Sequence, residues 1–192
     1  LRFKKKFGNC EGVVRLFEDQ ERKGSFKAWS LLTALSDISS SDKKNIEQYQ
    51  NIIEGPNWLD KRNEDRLYKN REPEVIVVGG GQAGLSIAAR LKQQNIDTLI
   101  VDKNERIGDN WRNRYHSLKL HNQTHVNHLP YMPFPSTWPT YIPKDKLAGW
   151  FEYYVESMEL NAWTNTKFIG AEYYENKKHW KVKLKLSDGT IK

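Results

Sequence analysis

Cysteine is almost absent. Cys10 is the single cysteine in 192 residues, so no disulfide can form within the chain and a disulfide-stapled secreted scaffold is excluded. Cys10 also has no neighbouring histidine or motif of the kind that marks a nucleophile. No apolar run is long enough to cross a bilayer; the nearest, Val75 to Leu91, is interrupted by Gly79, Gly80, Gly81 and Gly84. The start lacks a basic segment leading into an apolar one, and Leu1 is not an initiator methionine. A cytoplasmic protein with no membrane contact is the expectation. The net charge of +7 is dispersed. Lys4-Lys5-Lys6 is the only tight basic cluster, and no basic stripe interleaves with aromatics, so nucleic acid is not an expected partner. No serine sits in a nucleophile-elbow context. His121, His125 and His128 have a helix-like spacing, but Asn, Thr and Pro surround them and no carboxylate or thiolate is interleaved, so no metal site is expected.

What is present is one ordered stretch, Glu74-Val-Ile-Val-Val-Gly-Gly-Gly-Gln-Ala-Gly-Leu-Ser-Ile-Ala-Ala-Arg-Leu91. Val75 to Val78 is a β-branched run, as expected of a parallel strand covered on both faces. Gly79, Gly81 and Gly84 supply G-x-G-x-x-G, with Gln82 and Ala83 between the last two. The first glycine allows the tight turn, the second lets backbone approach a pyrophosphate, and the third lets the helix pack closely on the strand. The helix start offers free N–H groups and a partial positive charge to phosphates. A second strand, Thr98 to Val101, ends in Asp102, 18 positions after Gly84. That is close to the spacing of about 20 at which an acidic residue meets a ribose diol. Strand, helix, second strand and acid together point to dinucleotide binding, and an acid there repels a 2′-phosphate.

Along the chain, residues 1–35 are expected to be a partial β-rich accessory segment. Val13 to Phe17 and Phe26 to Thr33 form its strands, with Phe17, Phe26 and Trp29 packing. Residues 36–73 read as a linker containing a short helix over 45–53. Residues 74–192 are the nucleotide-binding domain. In it a helix runs from Gln82 to about Gln94. A long proline-bearing loop, His121 to Ile142, is too aromatic for disorder. A helix follows over Lys144 to Met158 with Leu147, Trp150, Phe151, Tyr154 and Val155 on one side. A β-hairpin pairs Lys167–Tyr174 with Trp180–Leu186, burying the face of Trp180, Val182, Leu184 and Leu186.

Several further strings carry a family likeness: Asp102-Lys103, Ile107-Gly108-Asp109-Asn110-Trp111, Arg114-Tyr115, Ser117-Leu-Lys-Leu-His-Asn122, Leu129-Pro-Tyr-Met-Pro-Phe-Pro135 and Tyr141-Ile-Pro-Lys-Asp-Lys-Leu147. With Val75 to Gly84 they resemble the class B flavin-dependent monooxygenases: the flavin-containing monooxygenases, the Baeyer–Villiger enzymes and the plant auxin-forming monooxygenases. The likeness covers roughly residues 73–186. The Trp29 region and Asn57-Trp58-Leu59 more weakly resemble microbial members fused to an N-terminal accessory domain.

The resemblance implies an α/β fold: a Rossmann-like FAD-binding domain with a β-meander insertion. It implies FAD at the first site, held by Gly79, Gly81, Gln82, Ala83, Gly84, Asp102, Lys103, Gly108, Trp111 and His121. Asn122 aligns with the asparagine beside the reactive edge of the flavin. Family members usually carry glutamate where this chain has Asp102, and a second glycine where it has Asp109. The family's second glycine fingerprint for NADPH is not in this sequence. The expected function is therefore that of an FAD-dependent oxidoreductase, an NADPH-dependent monooxygenase represented by its FAD-binding half and acting on a small-molecule substrate. The alternatives are a flavin- or NAD(P)-linked reductase or dehydrogenase without oxygenation, and a non-catalytic nucleotide-binding module.

Overall fold

The computed structural model describes residues 1–5, 8–38, 55 and 57–192. The chain divides into two units, Leu1–Asn45 and Ile46–Lys192. The helix expected over 45–53 lies outside the described residues.

The first unit is an antiparallel sheet of β1 (Arg2–Lys5), β2 (Gly8–Glu18) and β3 (Phe26–Ile38), in that spatial order. The connection between β2 and β3 closes through Asp19, whose backbone N–H donates to the Ser25 carbonyl at 2.8 Å. The Asp19 carboxylate is buried and pairs with Lys27 at 2.9 Å. The expected packing of Phe17, Phe26 and Trp29 is corrected here. All three are exposed, Trp29 to 76%, and Phe17 meets Trp29 edge to face at 5.8 Å.

In the second unit, α1 (Trp58–Leu67) precedes β4 (Val75–Val78), α2 (Gln82–Lys92), β5 (Thr98–Val101) and the single turn α3 (Asp109–Arg112). Then come α4 (Lys144–Ser157), β6 (Asn161–Trp163), β7 (Lys167–Tyr174) and β8 (His179–Lys185). The three central strands form a parallel sheet in the order β4-β5-β6, with Val75 opposite Thr98 and Leu99 opposite Asn161. β6 is absent from the sequence reading, because Asn161-Ala-Trp163 is too short and too polar to announce a strand.

Alternation along the strands builds two cores. Val77 and Ile100 face one side and pack with Leu85, Ala88 and Ala89 of α2 and with Phe151, Tyr154 and Val155 of α4. Leu99 and Val101 face the other side, against Tyr68, Leu184 and, less deeply, Val182. The β-branched run of β4 and β5 thus serves a sheet covered on both faces. Side chains as fully buried as Leu85 and Phe151 contribute about 1.5–3 kcal/mol each.

Two further expectations change. The described part of the stretch read as linker is an element docked on the domain. Asn57 caps α1 by accepting from Asp60 N–H at 2.9 Å, Arg62 donates to Asn161 at 3.0 Å, and Trp163 donates to the Arg66 carbonyl at 2.6 Å. On β8, Val182 and Leu184 reach the sheet, but Trp180 is 62% exposed and rests on Tyr173 at the far end of the hairpin. After β8 the chain folds back and Ile191 makes an isolated antiparallel bridge with Lys185.

Candidate functional site

The site begins at the turn between β4 and α2. The Gly79 N–H donates to the Val101 carbonyl at 2.8 Å, holding the turn against the end of β5. Gly79 itself has φ +98, which L side chains rarely adopt. A Cβ on Gly84 would lie inside the contact shell of the Gly79 carbonyl oxygen, so the third glycine is what lets α2 sit on the strand. A Cβ on Gly81 would meet only the Asn110 amide nitrogen, at 3.2 Å. Gly81 is the N-cap of α2; it offers no side-chain cap, and the first turn carries no acidic residue. The orphan N–H groups and the positive end of the helix dipole are therefore presented without local neutralisation.

Asp102 is buried at the tip of β5. One carboxylate oxygen accepts from Gly80 N–H at 2.6 Å and the other from Asn104 N–H at 2.8 Å. The acid therefore ties the glycine turn to the loop after β5. A carboxylate has about four lone-pair sites, so two bonds leave acceptor capacity.

A cleft of about 370 Å³ opens along the start of α2. Gln82, Ala83 and Ser86 form its helical wall, Trp111 of α3 one end, and Leu120, His121 and Asn122 a rim. Val126, Asn127, His128 and Leu129 continue the rim, and Leu147 and Phe151 of α4 form an apolar floor. The Trp111 indole N–H donates to the Gln82 side-chain oxygen at 3.2 Å, across the mouth between α3 and α2. Asn127 donates its amide to the carbonyls of Asn122 and Gln123, at 3.1 and 2.8 Å, fixing the backbone that carries Asn122. His128 accepts the Phe134 N–H on Nδ1 at 2.9 Å. The loop is closed at its base, where Leu120 N–H meets the Ile142 carbonyl at 2.9 Å and Thr124 N–H the Thr140 carbonyl at 2.8 Å.

Of the residues singled out from the sequence, Gln82, Ala83, Trp111, His121 and Asn122 line this one cleft. Gly79, Gly81 and Gly84 shape the turn at its head, and Asp102 braces that turn from behind. Lys103 points away as an exposed side chain. Gly108 is buried against α4: a Cβ there would stand 2.6 Å from the Ala148 carbonyl oxygen. The sequence reading missed Ser86, Asn127 and His128. The only signal for Ser86 was its place one helical turn after Gln82. His128 stands out only in its helix-like spacing with His121 and His125, a pattern weighed for a metal and set aside, and Asn127 carries no spacing that distinguishes it. Asp109, in the place of a second glycine, takes an ordinary first-turn position because the left-handed φ of +89 falls on Gly108 alone. The Arg112 guanidinium beside it holds its carboxyl below the usual carboxylate range.

Comparisons with known proteins agree with this geometry. Residues 77–135 match the family model of the NAD(P)-binding Rossmann-like domain. An uncharacterised CzcO-like oxidoreductase of Geobacillus kaustophilus is 42% identical over 102 residues, covering 52% of this chain and 28% of that protein. The probable indole-3-pyruvate monooxygenase YUCCA3 of Arabidopsis thaliana is 32% identical over 157 residues, covering 79% of this chain and 35% of its own length. The chain thus spans about a third of the curated relatives it matches. Among solved structures, a flavin-containing monooxygenase from Stenotrophomonas maltophilia superposes with a TM-score of 0.52 at 21% identity, over 62% of this chain and 35% of that one. The bacillithiol disulfide reductase of Bacillus cereus does so with a TM-score of 0.57 at 15% identity, over 62% and 36%. At these identities the two structures show a shared fold. Over the matched residues the chain is therefore similar to the YUCCA-type monooxygenases and the CzcO-like oxidoreductases, and residues 77–135 carry the likeness to an NAD(P)-binding Rossmann-like domain.

Proposed function

We propose that this chain is the FAD-binding part of an NADPH-dependent flavoprotein monooxygenase. The observation that carries the reading is the placement of an uncapped glycine turn directly at the head of a cleft walled by Trp111, His121 and Asn122. The residues fit a flavin dinucleotide. The space beside Gly81 is bounded only by the tip of Asn110, a cradle that a side chain would fill. The first N–H groups of α2 suit a pyrophosphate, and the spare acceptor capacity of Asp102 suits a ribose diol. Leu120, Leu147 and Phe151 give the cleft an apolar patch beside its polar lining, and the Asn122 amide is there to donate or accept. When bound, the flavin supplies the redox chemistry, taking hydride equivalents from NADPH and activating oxygen; the protein binds and orients it.

The substrate side of this reading is a small molecule, with no nucleic acid and no membrane surface involved. A reducing, cytoplasmic setting is supported by the lone Cys10. Among the described residues no helix is long and apolar enough to cross a membrane. The test is flavin retention. Purified protein is expected to carry a visible flavin absorption band, and Gly81→Val to lose it while keeping its circular dichroism. Stoichiometric flavin in Gly81→Val would sink the assignment of the site.

A further inference from the structure

Four charged residues that do not line the cleft, Arg106, Asp109, Arg112 and Glu152, are bonded to one another around the helical turn that carries Trp111. α3 is a single helical turn, too short to hold itself together. It is secured to α4 at both ends. At its start, Gly108 packs in contact with Ala148. At its end, the Lys144 ammonium donates to the Arg112 carbonyl at 2.7 Å. Between them, Arg112 spreads its guanidinium over the Asp109 carboxylate and the Ile107 carbonyl, both at 2.8 Å, and over Glu152 at 2.6 Å. Arg106 grips the same Glu152 through two bonds of 2.9 and 3.0 Å, while its backbone N–H donates to Asp109 at 3.0 Å. The Arg112 and Asp109 side chains are only 18% and 14% exposed, so their pairing is screened less than that of a free surface pair.

We infer that the lattice of Asp109, Arg112, Glu152 and Arg106 is a positioning device that sets the Trp111 indole against Gln82 and so tunes the affinity of the flavin site. The inference rests on the cofactor reading above and adds to it residues that touch no cofactor. The mechanical chain is short. Glu152 on α4 fixes Arg112, Arg112 fixes α3, and α3 presents Trp111, whose N–H reaches the first residue of α2. Arg114 lies over the indole ring, 5.0 Å from its centre, so the ring is met by α2 at its N–H edge and by a cation over its face. Loss of the lattice releases a one-turn helix and with it the wall of the cleft nearest the glycine turn. A fork is required at position 112, since a lysine's compact ammonium cannot span Glu152 on one side and Asp109 with the Ile107 carbonyl on the other as two nitrogens of a planar guanidinium do.

The test uses Glu152→Gln, Asp109→Asn, Asp109→Glu and Arg112→Lys in the full chain. Flavin affinity is read by fluorescence titration. In flavin-free protein, the indole N–H resonances are read by ¹⁵N NMR, with Trp111 assigned through Trp111→Phe. Glu152→Gln, Asp109→Asn and Arg112→Lys are each expected to weaken FAD by about five- to tenfold. Each should also move the Trp111 indole resonance while leaving the other six of the seven tryptophans in place. Asp109→Glu, which keeps the charge, should restore both readouts. An unmoved Trp111 resonance together with wild-type affinity in Glu152→Gln and Asp109→Asn would overturn the inference and leave the cofactor reading standing. Absence of flavin binding in the wild type would defeat the cofactor reading instead, and the indole resonance would still decide whether the lattice holds Trp111. Should Glu152→Gln not fold, the Asp109 pair carries the comparison alone.

Discussion

The Asp102 carboxylate accepts the Gly80 N–H at 2.6 Å, joining the end of β5 to the middle of the glycine turn. Its second oxygen is engaged by Asn104 N–H, so the acid is a structural brace before any ligand arrives. Asp102→Asn keeps the size but offers an amide N–H₂ to one of two backbone donors, leaving that donor buried and unpaired. The expected loss is about 1–3 kcal/mol of unfolding free energy in flavin-free protein. Urea denaturation measures it. Unchanged stability would mean that the carboxylate serves only a ribose.

The three glycines of the fingerprint differ in what they do, and two substitutions separate them. Gly84→Ala drives a methyl into the Gly79 carbonyl, where backbone lies on both sides and neither can yield. A destabilisation of about 3 kcal/mol is expected, the upper end of ordinary overpacking. Gly81→Ala meets only the end of the Asn110 side chain, at an ordinary φ of −83. Its stability should stay within about 1 kcal/mol of the wild type. Thermal melts of the two variants, set beside flavin content, show whether Gly81 acts on the ligand and Gly84 on the fold.

The elements that were legible in the sequence are those whose pattern is local. β4 and β5 are β-branched runs, α2 follows a glycine fingerprint, and α4 carries Leu147, Phe151 and Tyr154 at helical spacing; each lies within a residue or two of its expected bounds. What stayed hidden depends on distant partners. β6 exists because Leu99 to Val101 offer it a parallel edge and because Arg62 and Arg66 of α1 bond Asn161 and Trp163. α3 exists because Glu152, 40 residues on, holds Arg112. Likewise, the alternation of β8 foretold which side is apolar but not how far the sheet beneath it reaches, which is why Trp180 lies open while Leu184 is buried. For the site, the glycine motif located the turn with Gln82 and Ala83, and the family resemblance added Trp111, His121 and Asn122, whereas Asn127 is recognised only when its bonds to Asn122 and Gln123 are seen.

Two tyrosines give the domain an alkaline limit. Burial, with the hydrogen bond to Asp97, pushes the Tyr68 phenol up to about 12, and burial pushes Tyr154 up to about 12. Both are raised in the folded state, so the stability they contribute is complete below the unfolded value of about 10 and is lost as pH rises through the folded values. Tyrosinate absorbance should show a late component to which Tyr68 and Tyr154 contribute. Melting temperature should fall from about pH 10 upward. Tyr68→Phe should remove one late step. If Tyr68→Phe and Tyr154→Phe leave the late component of the folded protein unchanged, the burial argument is wrong.

The last expectation is that the 192-residue chain by itself does not turn over NADPH. Hydride delivery needs a bound nicotinamide dinucleotide, and such a ligand needs a glycine turn between a buried strand and a helix. Among the described residues only α2 opens on a G-x-G-x-x-G turn. α1 opens on Asn57, α4 on Pro143, and the Gly108 that opens α3 is filled by Ala148 with no room for a phosphate. Asp102 at the one available site disfavours the 2′-phosphate of NADPH by charge repulsion. The flavin-loaded chain, mixed with NADPH in air, should therefore keep its oxidised flavin spectrum and consume NADPH no faster than free FAD at equal concentration. Steady NADPH oxidation above that control, abolished by Gly81→Val, would place a second dinucleotide contact within these 192 residues and overturn the division of labour argued above.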